Sequence, residues 1–215
     1  MTIQHMRKTY TMGGLSEQDV DSDPMVQFQS WFHEANQPDL PDWFEVNAMT
    51  LSTTDAAGRV SSRVVLLKGL DVSGKLMFFT NYQSDKAKQI EANPHVSLCF
   101  FWPHLERQVR LNGQAKKTSR RQSQQYFHNR PRESQIGAHA SGQSEVIASR
   151  EILDNGFHEI ESQFAGTDVA CPEHWGGYEI EPERIEFWQG RTGRLHDRIC
   201  YRQIAEGWEI VRLAP

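Results

Sequence analysis

Hydrophobic and polar residues follow different periods in successive regions of the chain. The first twenty residues are polar and are broken by Gly13–Gly14, so we expect residues 1–20 to form a flexible arm. In "DPMVQFQSWFHEA", apolar residues recur at helical spacing after Asp23, which can cap a helix, and Pro24, which suits its first turn. The sequence therefore predicts a helix at the start of a single domain over 21–215.

From Val46 the pattern becomes that of strands. "VNAMTLSTTDAAGRVSSRVVLLKGLDVSGKLMFFTN" predicts three strands with turns at "DAAG" and "DVSG". "SDKAKQIEANP" predicts a short helix capped by Ser84, and "HVSLCFFW" and "ERQVRLNGQAKKT" predict two strands, the second turning at Asn112–Gly113. Helices are predicted at 119–129, from Pro131 and near 146–164, and about three strands follow.

This order of elements favours a mainly β fold, a small closed barrel with helices packed outside it. Strands and helices do not alternate as in a doubly wound sheet. The GxGxxG and Walker A patterns are absent from the sequence, which excludes a classical dinucleotide or P-loop site.

Composition narrows the classes of partner. The 23 Lys and Arg against 28 Asp and Glu leave a net charge of −5, so no global basic field favours nucleic acid. No segment approaches the ~18 apolar residues of a spanning helix, and we expect a cytoplasmic protein without a membrane partner. The three cysteines form no CxxC pair and the nine histidines no HExxH, so no metal site is expected.

Three basic clusters stand out locally. In "RVVLLK", Arg63 and Lys68 bracket four apolar residues that predict a buried strand. At about 3.3 Å per residue the two charges lie roughly 16 Å apart and on opposite sides. Two different anionic groups are one interpretation, and strand-end charges reaching for water are the other.

The second cluster is "QQYFHNRPRESQIGA". Tyr126 and Arg130 share a helical face, and Pro131 ends that helix and can begin the next. Arg130, Arg132 and Ser134 then lie near a helix N-terminus, where the dipole and free N–H groups favour a phosphate. A solvated basic helix junction is the alternative.

The third cluster is "IEFWQGRTGRLHDR". Strand alternation predicts Arg194, His196 and Arg198 on one face, within roughly 13 Å, and Trp188 offers a flat surface for an aromatic ring. A solvated charged hairpin is the alternative. Together, the three clusters suit a protein that holds two phosphorylated aromatic compounds.

These motifs, with "NAMTLSTTDAAGRVSSRVVLLKGLD" and "FFTNYQSDKAKQIEANPHVSLCFFWPHLERQVRLNG", closely resemble pyridoxine/pyridoxamine 5'-phosphate oxidases from about Arg7 to the final "RLAP". The resemblance implies an FMN-binding split barrel of Greek-key type, working as a homodimer with FMN between the subunits. It further implies oxidation of pyridoxamine or pyridoxine 5'-phosphate to pyridoxal 5'-phosphate by hydride transfer to FMN, with O2 reduced to H2O2.

The resemblance also implies functional residues. The FMN-binding positions would be Arg63, Val64, Val65, Leu66, Leu67, Lys68, Phe79, Thr80, Lys86, Gln108, Gln143, Ser144, Trp188 and Arg198. The substrate-binding positions would be Arg7, Tyr10, Lys68, Tyr126, Arg130, Ser134, Arg194, Leu195 and His196. Arg194 and His196 would be catalytic, the first orienting the pyridine and the second positioning the substrate or relaying a proton.

Two residues depart from the family pattern. Asp85 stands directly before Lys86, at a position where the family pattern has a basic residue. An acidic side chain there would repel an FMN phosphate and weaken FMN retention. Phe79 stands where a tyrosine can occur. Two rivals remain: a phenazine-biosynthesis flavin oxidase, which shares the "EFW…RLH" ending, and a non-catalytic flavin- or pyridoxal-phosphate-binding protein.

Overall fold

The computed structural model describes residues 3–6, 8–71 and 73–215. Five helices, α1 to α5, span Pro24–Ala35, Asp85–Ala92, Arg120–His128, Arg132–Ala140 and Arg150–Gln163. Nine strands, β1 to β9, span Ala48–Thr54, Val60–Leu66, Gly69–Leu70, Leu76–Asn81, His95–Trp102, Arg107–Lys117, Trp175–Gln189, Asp197–Ile204 and Gly207–Arg212. Short 3₁₀ turns cover Ile3–His5 and Thr192–Arg194.

All nine strands belong to one antiparallel sheet in the order β2-β1-β5-β6-β7-β4-β3, with β8 paired to β7 and β9 to β8. Strand β7 is long enough to pair with β4 along its first half and with β8 along its second. Helix α1 covers one face of the core, where Trp31 packs edge-on against Phe187 at 5.1 Å and Phe28 lies 5.1 Å from Phe100. The predicted mainly β fold with helices outside the sheet is confirmed.

Several local predictions hold and several do not. The Asp23 carboxylate accepts a hydrogen bond from Met25 N at 2.7 Å, so it caps α1 as predicted. Ser84 stands at the N-cap of α2, but its hydroxyl donates to Asn81 O and caps nothing. The turn predicted at Asn112–Gly113 is wrong, because β6 continues to Lys117 through a register shift there. A Cβ at Gly113 would lie 2.1 Å from Glu181 O, so this close approach requires glycine.

The prediction that "RVVLLK" is one buried strand is wrong. Strand β2 stands at one end of the sheet order and pairs with β1, and Val64 is 66% exposed. The strand ends at Leu66, so Lys68 lies beyond it. An apolar run can therefore belong to an edge strand, which pairs with a neighbouring strand on one side only.

The prediction that Arg194, His196 and Arg198 share a strand face is also wrong. Gly193 and Arg194 have φ of 64° and 62°, in the left-handed region, and close a 3₁₀ turn. Strand β8 begins only at Asp197, so Arg198 alone is part of it. The turn at Gly193 and Arg194 breaks the extended backbone on which the predicted alternation of faces depends.

Within the described part of the chain, no helix is long and apolar enough to cross a membrane. The same residues contain no group of three or more His, Cys, Asp or Glu side chains placed to hold a metal ion.

Candidate active site

A cavity of about 860 Å³, here called cavity one, lies between β2, β4 and the junction of α3 with α4. Eleven of the predicted site residues line it: Val64, Val65, Leu66, Lys68, Phe79, Thr80, Lys86, Tyr126, Arg130, Ser134 and Gln143. The edge strand and the helix junction, far apart in sequence, are thus brought to one site.

One end of cavity one carries a pair of cations. Lys86 Nζ donates to Gln143 Oε1 at 2.9 Å and to Thr80 Oγ1 at 3.2 Å. Burial, and then the positive charge of Arg63, lower the pKa of Lys86, while Asp85 opposes both effects. Burial likewise lowers the pKa of Arg63. Two partly buried cations that disfavour each other are stabilised by an anion placed between them.

Arg63 itself lies behind the cavity wall. Its Nη1 donates to Thr53 Oγ1 at 2.6 Å and to Leu51 O at 3.2 Å, and Nη2 donates to Gln89 Oε1. Neutral acceptors hold the guanidinium in place without cancelling its charge.

Stacked aromatic rings form the middle of the cavity. Phe79 and Tyr126 stack with ring centroids 3.9 Å apart, and Trp175 continues the stack 5.5 Å from Phe79. Phe79 faces Gly177 across the β4–β7 pair, where a Cβ would come within 2.8 Å of the Phe79 ring. Glycine at that position therefore makes room for the stack. Trp175 was not predicted as a site residue; the Gly176–Gly177 pair after it was the available signal.

Arg130 occupies the other end. Its guanidinium lies 4.7 Å above the Trp175 ring, and its buried Nη1 has no hydrogen-bond partner among the described residues. Burial lowers the pKa of Arg130 and raises that of Tyr126. Arg132, by contrast, turns away and donates to the carbonyls of Phe164 and Thr167 at 2.6 and 2.9 Å. Arg130 is thus the cation of this junction that is prepared for an anionic ligand.

A second cavity of about 450 Å³, here called cavity two, lies between the N-terminal arm and the β7–β8 connection. Tyr10, Trp188, Arg194 and His196 line it, and the Trp188 and His196 rings lie 4.6 Å apart. His196 Nδ1 accepts from Arg191 N at 3.1 Å, so the neutral imidazole carries its hydrogen on Nε2.

Three further predicted residues, Gln108, Trp188 and Arg198, lie side by side across β6, β7 and β8. Glu186, which the sequence interpretation missed, fixes the Arg198 side chain of this row. Its carboxylate, 1% exposed, accepts from Arg198 Nε at 2.8 Å and from Arg110 Nη2 at 2.5 Å. The hydrogen bond that Arg198 donates to Glu186 raises the pKa of Arg198. A buried glutamate between strands is not distinguishable from an exposed one by spacing alone.

The remaining predicted residues are dispersed. Leu67 is 9% exposed and does not line cavity one, Leu195 is 72% exposed, and Ser144 Oγ accepts from Asp85 N at 3.3 Å. Arg7 lies outside the described residues. Among the residues that the structure describes, none lines both cavity one and cavity two. A single chain therefore does not bring Arg130 and Arg194 into one pocket.

The sequence is similar to those of known proteins over nearly its whole length. Residues 40–164 match the family model "Pyridoxamine 5'-phosphate oxidase", and residues 175–215 match "Pyridoxine 5'-phosphate oxidase C-terminal dimerisation region". The chain is 52% identical to a pyridoxine/pyridoxamine 5'-phosphate oxidase of Rhodopirellula baltica, over 99% of this chain and 96% of that protein. It is 50% identical to proteins of the same name from Leptospira interrogans and Pseudomonas syringae pv. tomato, each over at least 98% of both partners.

Solved structures agree on the fold. PhzG from Burkholderia lata 383, in complex with tetrahydrophenazine-1-carboxylic acid, superposes with a TM-score of 0.86 at 26% identity, over 94% of this chain and 98% of that one. A pyridoxamine 5'-phosphate oxidase-related, FMN-binding protein from Nostoc punctiforme has a TM-score of 0.70 at 14% identity, over 89% and 98%.

Proposed function

The chain belongs to the pyridoxamine 5'-phosphate oxidase family, and from that premise we propose that it oxidises pyridoxamine and pyridoxine 5'-phosphate to pyridoxal 5'-phosphate. FMN would be its cofactor, with O2 as electron acceptor and H2O2 as product. The observation that carries the proposal is the charge pattern of cavity one. Cations stand at both ends, Lys86 near Arg63 at one and Arg130 at the other, with stacked aromatic rings between them.

The Arg63–Lys86 end suits the phosphate of FMN. Both cations are partly buried, and the side chains that they contact are neutral. Burial disfavours the charged forms of both side chains, and a bound phosphate would stabilise them. Val64, Val65 and Leu66 provide the apolar edge against which the flavin ring would pack.

The Arg130 end suits the substrate phosphate. Its Nη1 has no hydrogen-bond partner among the described residues and would be satisfied by a phosphate oxygen, and Ser134 and Tyr126 add hydroxyl donors to the same cavity. Lys68 lines the same cavity and would add a second positive charge. This arrangement favours a phosphorylated substrate over an uncharged one.

When bound, FMN supplies the electron acceptor for the substrate carbon and is reoxidised by O2. The protein's own part is positioning. Arg194 would orient the pyridine and hold the substituent that is oxidised, and His196, with its hydrogen on Nε2, would position the substrate or relay a proton. Binding both rings in a reactive orientation would lower the activation free energy by several kcal/mol, on the order of what pre-positioned reactants gain over free ones.

We propose a homodimer that completes the site. Arg194 and His196 lie in cavity two, so a second copy would be needed to bring them to cavity one. The family's dimerisation region covers residues 175–215, which include both. Exposed apolar side chains on β2 and β5, Val64 at 66% and Phe101 at 54%, support burial of this sheet region against a partner.

Two other functions fit the fold. A phenazine-type oxidase is supported by the likeness to PhzG, but that protein is only 26% identical, and the Arg130 end of cavity one favours a phosphate. A non-catalytic cofactor-binding protein would not need Arg194 and His196 beside Trp188.

Oxygen consumption tests the choice. The purified protein, assayed with and without added FMN, is expected to consume O2 with pyridoxamine 5'-phosphate. With one water molecule per turnover, it should form the aldehyde, ammonia and hydrogen peroxide. Unphosphorylated pyridoxamine is expected to react at least tenfold less efficiently, since about 1.4 kcal/mol of phosphate binding equals a factor of ten. A yellow protein without turnover would support the binding role, and equal rates with both amines would overturn the proposal.

A further inference from the structure

Glu106 ends the tight turn between β5 and β6, and its side chain reaches the N-terminal arm. Its carboxylate is 3% exposed and accepts hydrogen bonds from Thr11 N at 2.7 Å and Met12 N at 3.0 Å. Lys8 Nζ lies 3.1 Å from the other carboxylate oxygen. One buried side chain therefore satisfies two backbone donors and one ammonium of the same five-residue segment.

The pKa of Glu106 reflects these contacts. Burial alone would raise it, but the bonds from Met12, Lys8 and Thr11 outweigh burial and lower it. The carboxylate is thus held in its charged form by the arm, and the arm by the carboxylate.

The backbone of Glu106 is specialised as well. Its φ of 54° lies in the left-handed region, which glycine or asparagine occupies with less strain than glutamate. Its carbonyl accepts from Gly190 N at 2.8 Å and from Gln189 Nε2 at 3.3 Å. Glu106 thereby connects the end of β7 to the arm. Glycine would fit this backbone conformation better but has no carboxylate to bind the arm, which explains a glutamate at this position.

The segment that Glu106 holds contributes Tyr10 to cavity two. The Tyr10 ring packs edge-on against Trp188 at 5.6 Å and His196 at 5.5 Å. A Cβ at Gly190 would lie 2.8 Å from the Tyr10 ring, so the ring rests on that glycine's backbone. The position of Tyr10 therefore depends on contacts that converge on Glu106 and Gly190.

We infer that Glu106 is a positioning residue that latches the arm, so that Tyr10 covers Trp188 and His196 and closes the substrate side of the site. The substrate part of this inference rests on the proposed function, whereas the docking of residues 8–12 does not. Glu106 acts through Tyr10 and does not itself line cavity two.

The first measurement is hydrogen exchange at the Thr11 and Met12 amides by NMR, which needs no substrate. In the full-length holoprotein, Glu106→Gln is expected to speed this exchange about tenfold or more, because it removes charge-assisted hydrogen bonds. Glu106→Gly removes the carboxylate and also relieves the positive φ, so it is expected to fold and to show the same loss of protection.

The matched control is Glu17→Gln. Glu17 also belongs to the N-terminal segment, but it binds Arg212 at 2.8 Å and makes none of the bonds to residues 8–12 described above. Its substitution is expected to leave the Thr11 and Met12 amides protected.

The second measurement separates positioning from general stability. Both Glu106 variants are expected to raise KM for pyridoxamine 5'-phosphate about tenfold, with kcat within about twofold and FMN affinity unchanged. Unchanged amide protection in Glu106→Gly would overturn the latch, whether or not the chain proves to be an oxidase. Lost protection with an unchanged KM in an active enzyme would overturn its role in closing the site.

Discussion

Replacing Arg130 with lysine keeps a positive charge at the junction of α3 and α4 but removes the planar guanidinium. In the protein, that guanidinium lies 4.7 Å from the Trp175 ring and 5.6 Å from the Phe127 ring, and its Nη1 has no partner among the described residues. The two aromatic contacts restrict the orientation of the guanidinium, and Nη1 is a donor that a bound phosphate would satisfy. A flexible ammonium has no comparable orientation.

The magnitude follows from the number of bonds lost. A hydrogen bond to a charged group contributes about 1.5–3 kcal/mol, and about 1.4 kcal/mol is a factor of ten. Lysine keeps the Coulombic attraction, so we expect the lower end of this range and a rise in KM of about tenfold. Arg130→Met loses both and is expected to raise KM about a hundredfold.

Steady-state kinetics with pyridoxamine 5'-phosphate measure this effect, and FMN fluorescence titration checks that cofactor affinity is unchanged. Arg132→Lys is the matched control, because Arg132 donates to the carbonyls of Phe164 and Thr167 instead of facing the cavity. We expect its KM to stay within about twofold of wild type. Equal KM values for Arg130→Lys and Arg132→Lys would refute the assignment of Arg130 to the substrate phosphate.

Three further predictions concern the cofactor. Asp85→Asn is expected to tighten FMN binding about two- to fivefold at low salt, because it removes an exposed negative charge near the phosphate. The gain should be smaller at high salt, and a salt-independent change in a fluorescence titration would contradict this. In the protein without FMN the pKa of Lys86 is lowered, and a bound FMN phosphate would raise it. Binding is therefore expected to take up protons, and FMN affinity to fall as the pH rises through the lowered pKa of Lys86. Calorimetry in buffers of different ionisation enthalpy measures the proton uptake. Glu186→Gln is expected to weaken FMN binding about tenfold by releasing Arg198, and an unchanged dissociation constant in a folded variant would remove Glu186 from the cofactor site.

Local patterns predicted much of the fold, and motif resemblance predicted the members of the site. The helix after Asp23 and the strand content could be predicted because capping and periodicity act over a few residues. Motif resemblance named eleven residues that line cavity one. It could not show that Arg63 stands behind the wall, because that depends on the pairing of β2 with β1.

The features that the sequence did not predict depend on backbone geometry or on contacts between residues distant in sequence. Alternation could not foresee that Gly193 and Arg194 turn with positive φ. Glu106 and Glu186 look like ordinary acidic residues in the sequence. The N-terminal arm brings Lys8 and two backbone donors to the Glu106 carboxylate, and strand pairing brings Arg198 to that of Glu186. Residues whose role depends on such non-local contacts are found from the structure.

The central claim is that cavities one and two are halves of one site that two copies of the chain complete. Co-expressing Arg130→Met with Arg194→Met tests it, since each mixed dimer would hold one intact and one doubly altered site. If mixing is random, about a quarter of wild-type activity should return, while pairing Arg130→Met with Lys68→Met, both altered in cavity one, should restore none. No recovery from Arg130→Met with Arg194→Met in a confirmed mixed dimer would contradict the account.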